Sequence, residues 1–578
     1  MVTMRQHTLP SLLWAASAAF SDRPALSRVE KDGIRVGYDY SGLERAVRRF
    51  ALSIVDMGVK TGDRVVILCE NRPEWAVAYF GIMAAGAVAV PVLVDFAPEQ
   101  IANIVDHAAA AAVCATEKTL PRLSGIDVPF SVIRLDTIDE LGFNAVVAGT
   151  TQRRSFKDPK SVLPGDSLLP SDLACILYTS GTSGNSKGVM LTHENIVSNA
   201  IATRAVFGLK PEDRVLSVMP LAHTLESTMG LVTPLLQGCA IHYLDGPPTP
   251  TALASALQLV KPTVMVIVPL IIEKLYRAKV EPKLQNHPLY RFAPTRGLAI
   301  KAAGRKLQDA FGGAIRFLGI GGAALANDVE RFLLAARFPY AIGYGLTETA
   351  PLVAAAIPYK TSIGSTGRAL DGVNVRIAQP QAGEAHSALH ASGEGEIQVR
   401  GPNVMTGYYK DSARSAEAFT SDGWFKTGDL GIIDSRGLIH VRGRLKAMIL
   451  GPSGENIYPE EIESLLSSSG LVEESLVYAA KDGALVALVV LNERAKAMII
   501  DARARVSDTT GHIREALADT SHALAQESER LLARLRASTN TRLAAFSRIA
   551  RILVQESPFE KTATLKIKRY LYPASPST

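Results

Sequence analysis

An apolar run, Ala174 to Tyr178, gives way to Thr179-Ser-Gly-Thr-Ser-Gly-Asn-Ser-Lys-Gly188. The run predicts a short buried strand. The residues after it combine three glycines, several hydroxyls and one lysine, Lys187. Such a loop can fold tightly around an anion and offer it backbone N–H groups, hydroxyls and one mobile positive charge, and phosphate is the obvious candidate. A Walker loop would need glycine at 186 and Ser/Thr at 188, where the chain has Ser186 and Gly188, so a P-loop NTPase is disfavoured. The bland alternative is a flexible Gly/Ser linker. Linkers of that kind rarely lie between an apolar strand and a helix start, and Thr192-His-Glu-Asn195 supplies a cap-like start here.

At 578 residues the chain is too long for one core, and two or more domains are expected. A net charge of +6 is small for that length and no long Lys/Arg block occurs, so nucleic acid is not an expected partner. Cys69, Cys114, Cys175 and Cys239 lie far apart in apolar surroundings, without metal-ligand spacing. They read as buried reduced thiols and favour a cytoplasmic compartment. Met1 to Pro24 lacks the basic and apolar regions of a signal peptide. Trp75 to Val94 runs twenty residues without a charge, but Ala, Gly86 and Pro91 make it a helix followed by a buried strand rather than a membrane span. Peripheral contact at the inner membrane surface is left open.

The first 150 residues alternate helix-like and strand-like patterns. Tyr40 to Met57 has helical apolar spacing, Val65 to Cys69 reads as a strand, Pro73 opens a helix, and Gly86 to Pro91 reads as the next strand. This alternation implies a parallel sheet covered by helices. Gln152 to Asp172 is polar, contains three prolines and reads as a loop. Further strands are expected at Arg214–Pro220 and Thr263–Val268, with a basic helical surface segment over 277–313. His223, in Leu221-Ala-His-Thr-Leu-Glu226, either lines a pocket or caps the following helix. Gly319, Gly321 and Ala324 imitate a dinucleotide fingerprint, but the required acid about twenty residues on is replaced by a second glycine-bearing loop, Gly343-Tyr-Gly-Leu-Thr-Glu-Thr349. A backbone-exposing loop beside a flat ligand is the plainer reading. From Gly364 to Arg444 short strands and turns predict a small β-rich subdomain. Beyond Lys446 a helix at Pro459–Ser468, a hairpin around Lys481–Gly483, a helical region at Ile513–Leu535 and a strand at Arg551–Val554 predict a separate α+β unit.

Five stretches in this order resemble the adenylate-forming superfamily of acyl-CoA synthetases, nonribosomal adenylation domains and firefly-type luciferases. They are Tyr178–Gly188, Gly343–Thr349, Gly423-Trp-Phe-Lys-Thr-Gly-Asp429, Gly443-Arg-Leu-Lys446 with Gly454–Pro459, and Lys561–Arg569. Pro220–Glu226, Val268–Tyr276 and the Lys-Ile-Lys-Arg ending are most similar to long-chain fatty acyl-CoA synthetases. The resemblance implies an α/β fold. Its large N-terminal domain, 1–442, holds parallel α/β sheets and a β-rich subdomain over about 360–442, and a small mobile α+β domain spans 443–578. It also implies ATP, Mg²⁺ and coenzyme A as cofactor and co-substrates, a fatty acid as substrate, and transfer of the adenylated acyl group to a thiol.

Residue by residue, the resemblance implies that Thr179, Ser180, Gly181, Thr182, Ser183, Gly184 and Lys187 hold the β- and γ-phosphates. Glu348 would bind Mg²⁺, with Thr179 and Thr347 on phosphate or metal. Tyr344, within Gly343 to Gly345, would stack on adenine against the backbone of Gly321, Gly322 and Ala323. Asp429 would accept the ribose hydroxyls with Arg444 assisting, a task suited to a carboxylate with two acceptor oxygens. Lys566 would neutralise charge between carboxylate and α-phosphate, although Leu565 stands where the family usually has glycine. Lys446 would be the hinge about which the C-terminal domain rotates between two half-reactions. His223 would lie near the acyl entrance. Leu450 replaces a lysine found in many relatives and puts in doubt any thiol-transfer role borrowed from it. Two alternatives remain open. An acyl carrier protein's phosphopantetheine could replace CoA as acceptor, or the chain could be an inactive scaffold that keeps the fold.

Overall fold

The computed structural model describes residues 4–126, 131–147, 149–156, 162–179, 187–246, 248–378, 393–450, 456–480, 482–507, 516–561 and 567–572. Among them, two nine-stranded sheets dominate. The first runs from Arg368–Ala369 through Leu352–Ala355, Tyr340–Gly345, Phe317–Ile320, Val264–Ile267, Arg214–Ser217, Ala240–Leu244 and Pro24–Glu30 to Gly33–Asp39. Its six central strands, Tyr340–Gly345 to Pro24–Glu30, are parallel. The second has a parallel centre built from Leu173–Thr179, Val88–Val92, Arg64–Leu68, Ala110–Ala115 and Ser131–Arg134.

Both sheets depart from the all-parallel expectation at their edges. Leu352–Ala355 turns back along Tyr340–Gly345, and Lys187–Thr192 turns back along Leu173–Thr179. Gln152 to Ser155, predicted as loop, belongs to the edge strand Thr150–Ser155. That strand is largely exposed and polar, so no alternation of hydrophobicity marked it.

Helices fill the space between the sheets. Tyr40–Asp56 begins at Asp39, whose carboxylate accepts the Gly42 N–H, and buries Leu43, Val47, Phe50 and Ile54 at three- and four-residue spacing. Beyond Glu74 in its first turn, Pro73–Ala84 is apolar on every face because it touches strands of both sheets, Arg64–Leu68 and Pro24–Glu30. Here the charge-free stretch finds its explanation: a buried helix and then the buried strand Val88–Val92. Among the described residues no helix is long and apolar enough to cross a membrane. Cys69, Cys114, Cys175 and Cys239 are free and buried, as expected.

The predicted β-rich segment divides among three sheets. Asn374–Ala378, Gly395–Arg400, Phe425–Ile433 and Ile439–Arg444 form an antiparallel four-stranded sheet. Arg368–Ala369 and Gly407–Tyr408 instead extend the first and second large sheets. Farther on, Val472–Ala479 and Leu485–Leu491 form a hairpin, and Arg551–Val554 adds in parallel to its second strand. Pro459–Ser467 and the long helix Ala516–Asn540 pack with this sheet, which has its own apolar core of Ile462, Leu466, Val489 and Leu535.

Trp75 stacks on Tyr79 at 4.9 Å between ring centroids and is fully buried between the two large sheets. Trp75→Ala removes that ring from a packed interior and is expected to cost about 3–5 kcal/mol, read as a lower urea midpoint for the first unfolding transition.

Candidate active site

Loops after the C-terminal ends of neighbouring parallel strands converge, as ligand sites in open α/β sheets do. Ile320 leads into Gly321, the strand Tyr340–Gly345 leads into Thr347–Thr349, and Ser217 leads into Pro220–Glu226. The glycine-rich loop follows the strand Leu173–Thr179 of the second sheet. Its central residues, Ser180, Gly181, Thr182, Ser183 and Gly184, lie outside the described residues, but its two ends are placed. Thr179 and Lys187 face each other in the antiparallel register of the two strands. The loop therefore closes a hairpin, where the sequence suggested a direct passage from strand to helix. The helix follows one strand later, at His193–Phe207, and Thr192 and Asn195 form the capping box expected there.

Tyr408, from the two-residue strand Gly407–Tyr408, connects the two sides. Its hydroxyl donates to Glu348 Oε1 at 3.1 Å, and Lys187 Nζ lies 5.0 Å from its ring centroid. Burial, and then the Glu348 carboxylate, push the Tyr408 phenol well above its usual value, so it stays a donor. Glu348 and Thr347 sit in one short turn, and the Thr224 hydroxyl donates to Thr347 Oγ1 at 3.4 Å. The turn is rigidly backed: Asn403 donates to the carbonyls of Thr349 and Leu352, and Asn199 donates to the Leu352 carbonyl. A side chain at Gly345 would meet the Pro351 carbonyl oxygen at 1.9 Å, so only glycine permits this approach.

A second cluster surrounds Asp429. Its Oδ2 accepts the Tyr344 hydroxyl at 2.8 Å and its Oδ1 accepts Arg444 Nε at 2.8 Å. Asp429 and Arg444 are direct partners across two antiparallel strands, which fixes the pair through backbone register. Burial and the adjacent carboxylate raise the Tyr344 phenol far above its ordinary value. The ring of Tyr344 is buried and anchored by Asp429, an interaction its stacking assignment did not anticipate. Gly343 lies beside it on the same strand. Gly322 and Ala323 are exposed, and a side chain added at Gly321 would meet nothing closer than 3.6 Å. These residues leave an open, flat backbone face.

Other expected residues fall differently. His223 Nδ1 accepts the Leu225 N–H at 3.2 Å, the capping alternative. Lys446 is exposed in a short turn after Arg444. Lys566 lies outside the described residues. Its neighbours Lys561 and Lys568 are paired with Glu474 and Glu560, so they are not free cations of a basic tail. Sequence reasoning missed Tyr408 and Thr224. Tyr408 adjoins the matched stretches without belonging to one, and only the strand pairing of Val189 with Tyr408 brings it in.

One carboxylate and two threonine hydroxyls suit Mg²⁺, which takes one or two protein carboxylates and completes its shell with phosphate and water. Among the described residues no cluster of three acidic, His or Cys groups offers a self-sufficient metal cage. A cavity of about 370 Å³ lies elsewhere, lined by Arg28, Glu70, Arg72, Lys118 and Asp245. Its charges pair among themselves, as Arg72 with Glu70 and Lys118 with Asp245.

The AMP-binding enzyme family model matches residues 13–409. The chain belongs to the AMP-binding enzyme family. Long-chain-fatty-acid–CoA ligase FadD15 of Mycobacterium bovis is 31% identical over 80% of this chain and 79% of its own length. Human long-chain-fatty-acid–CoA ligase 1 is 31% identical over 76% of this chain and 67% of its own. ATP-bound MatB from Rhodopseudomonas palustris superposes with a TM-score of 0.72 at 23% identity, covering 98% of both chains. O-succinylbenzoate coenzyme A synthetase of Bacillus subtilis with AMP gives 0.69 at 21%, over 97% of this chain and 98% of that one. The family's α/β fold is thus shared over nearly the full length.

Behind His223 the chain forms a buried π-helix, Leu225–Val232. It carries Glu226, buried, with Oε2 lacking a hydrogen-bond partner among the described residues. Burial pushes this carboxyl from 4.5 up to about 8, against a smaller lowering by the Ser217 hydroxyl. The folded state therefore keeps a proton that the unfolded chain loses near pH 4.5. Wild-type stability should fall as pH rises from 4.5 to about 8 and level off above that. Glu226→Gln should flatten this slope by about a few kcal/mol, measured as the difference in urea-unfolding free energy between the two ends of that range.

Proposed function

We propose that the site activates a fatty acid with ATP and passes the acyl group to coenzyme A. The carboxylate attacks the α-phosphate, the P–O bond to pyrophosphate breaks, and an acyl-adenylate forms. The CoA thiol then attacks the acyl carbonyl, gives up its proton, and releases acyl-CoA and AMP. The reading is carried by one observation: the Tyr408 hydroxyl joins Glu348 to the face where Lys187 stands, uniting three segments far apart in sequence. The relatives named as long-chain-fatty-acid ligases give the acid its class.

The roles follow from charge. Attack of a carboxylate on a triphosphate gathers negative charge that fixed donors must offset. Lys187, with Thr179 and the loop between them, holds the departing pyrophosphate. Glu348 and Thr347 hold Mg²⁺, which would offset phosphate charge. Tyr408 keeps the Glu348 carboxylate aimed. Asp429 holds the ribose, because a carboxylate can accept two hydroxyl donors at once. Tyr344 and the Gly321–Ala323 backbone border the base. His223 shapes the acyl entrance while capping the π-helix. Lys566 neutralises the transition state from a C-terminal domain of residues 443–578, turning about Lys446 against the 1–442 domain, and the same turn opens the site to the thiol.

Lys566→Ala should lower fatty-acid-dependent pyrophosphate exchange by about 10²–10³-fold while leaving thiol transfer from preformed acyl-adenylate far less affected. Unchanged exchange would remove Lys566 from its role. Tyr408→Phe should raise the Mg²⁺ concentration needed for half-maximal exchange, since Glu348 loses its aiming donor. Labelled fatty acid and ATP, offered with either CoA or a holo-carrier protein, identify the acceptor. Acyl transfer to the carrier protein with no acyl-CoA would replace the CoA reading, and absence of any adenylate would favour a scaffold.

A further inference from the structure

We propose that the helical hairpin of residues 283–306 is a docking surface for an anionic phospholipid membrane. This segment holds six basic residues, Lys283, Arg291, Arg296, Lys301, Arg305 and Lys306, and no acidic one. All six are exposed, and none takes part in an ion pair among the described residues. Arg296 instead lies over the Tyr290 ring at 5.5 Å and donates to the Tyr290 carbonyl. The nearest acids on these helices are Glu281, which pairs with Arg277, and Asp309 in the last turn of Arg296–Ala310. The hairpin between them presents a net positive surface that attracts an anionic one.

Charge alone would not select lipid. Three large apolar side chains stand out among these cations: Leu289 is 45% exposed, Phe292 63% and Leu298 64%. Leu289 and Phe292 sit at the tip of the hairpin, whose shape is fixed by the Thr295 hydroxyl donating to the Leu289 carbonyl at 2.7 Å. On the helix Arg296–Ala310 the periodicity separates two faces. Ala299, Gly304 and Leu307 are buried inward, and Leu298, Lys301, Ala302 and Arg305 face outward. The inner face cannot roll, because Gly304 packs so closely on Ala336 that an added Cβ would lie 2.7 Å from that side chain. The outer face is therefore held as a fixed amphipathic surface, with apolar anchors between cations. This is the composition of an interfacial element, in which apolar groups enter the headgroup boundary and cations meet lipid phosphates. Duplex nucleic acid would use the cations but gains little from aliphatic leucines at the tip.

The hairpin is joined to the site described above. Pro269–Leu275 starts directly after Val268, whose side chain is the nearest neighbour of a Cβ built at Gly322, and leads through the next helical turns into the hairpin. If the ligase reading holds, docking there brings a bilayer-dissolved acid to the protein. Binding itself does not depend on that reading, so the two can fail separately.

The full chain is sedimented with sucrose-loaded vesicles of phosphatidylcholine alone, or of phosphatidylcholine with phosphatidylglycerol, without substrate. Binding is expected on the anionic vesicles only and should weaken as salt is raised. Lys301→Glu with Arg305→Glu should lower the partition coefficient by about thirtyfold or more. Leu289→Ser with Phe292→Ser should lower it by about tenfold at unchanged net charge. Both double variants should keep the wild-type melting temperature, since every altered side chain is exposed. Equal partition to both vesicle types overturns the proposal, as does wild-type binding by both folded variants. Retention on duplex DNA that matches the anionic vesicles and survives Leu289→Ser with Phe292→Ser would assign the surface to nucleic acid and also overturn it.

Discussion

The hydrogen bond from Tyr408 to Glu348 is the contact on which the geometry of the site depends. Glu348 belongs to a turn leaving the first large sheet, and Tyr408 is paired with the second through Val189. The same strand, Lys187–Thr192, ends at the lysine facing Tyr408. Spacing between the Glu348 carboxylate and Lys187 is thus set by two sheets and one phenol. A hydrogen bond accepted by a carboxylate is worth more than one between neutral groups, but its main effect here is directional. Left without the phenol, the carboxylate would have rotamers that point away from the lysine.

Asp429 shows the same economy by another route. Its position comes from strand register, since Asp429 and Arg444 are opposite residues of two antiparallel strands. A one-residue slip would put the carboxylate on the other face. Tyr344 then connects this small sheet to the end of a parallel strand in the first large sheet. The two clusters share that strand and the turn after it, so Tyr344 and Glu348, four residues apart, present an aromatic and a carboxylate to opposite parts of one groove.

Much of this was legible in the sequence where the signal is local. The strands Arg551–Val554 and Leu173–Thr179 and the helix Tyr40–Asp56 follow from apolar spacing. The charge-free stretch from Trp75 resolved correctly into a helix and a strand because glycine and proline interrupt it. What stayed hidden depends on partners distant in sequence. Gly407–Tyr408 is two residues long and exists only as an addition to another strand. Thr150–Ser155 is polar and exposed at a sheet edge, so no period identifies it. The π-helix holding Glu226 has an apolar composition that an α-helix would share, and its extra residue per turn carries no compositional mark. The burial of Glu226 could not be anticipated either, because burial of an acid is a property of packing.

The C-terminal sheet meets the rest of the molecule through contacts that are inexpensive to exchange. Arg442 reaches Glu461 at 3.7 Å, and the Tyr458 hydroxyl donates to Glu394 at 2.6 Å. Leu430, Tyr458, Leu445 and Met448 add a small apolar contact. Partly exposed ion pairs contribute about 0–1 kcal/mol each, because water can replace either partner. Set against the extensive core shared by the two large sheets, this junction is the weak seam of the fold. It also lies immediately beside Arg444 and Lys446, next to the paired strands that hold Asp429. If the proposed ligase reaction runs here, a stiff site bordered by a soft seam is the arrangement that two successive reactions at one place require. Stability is concentrated in the core between the two large sheets and withheld at the junction with the C-terminal sheet.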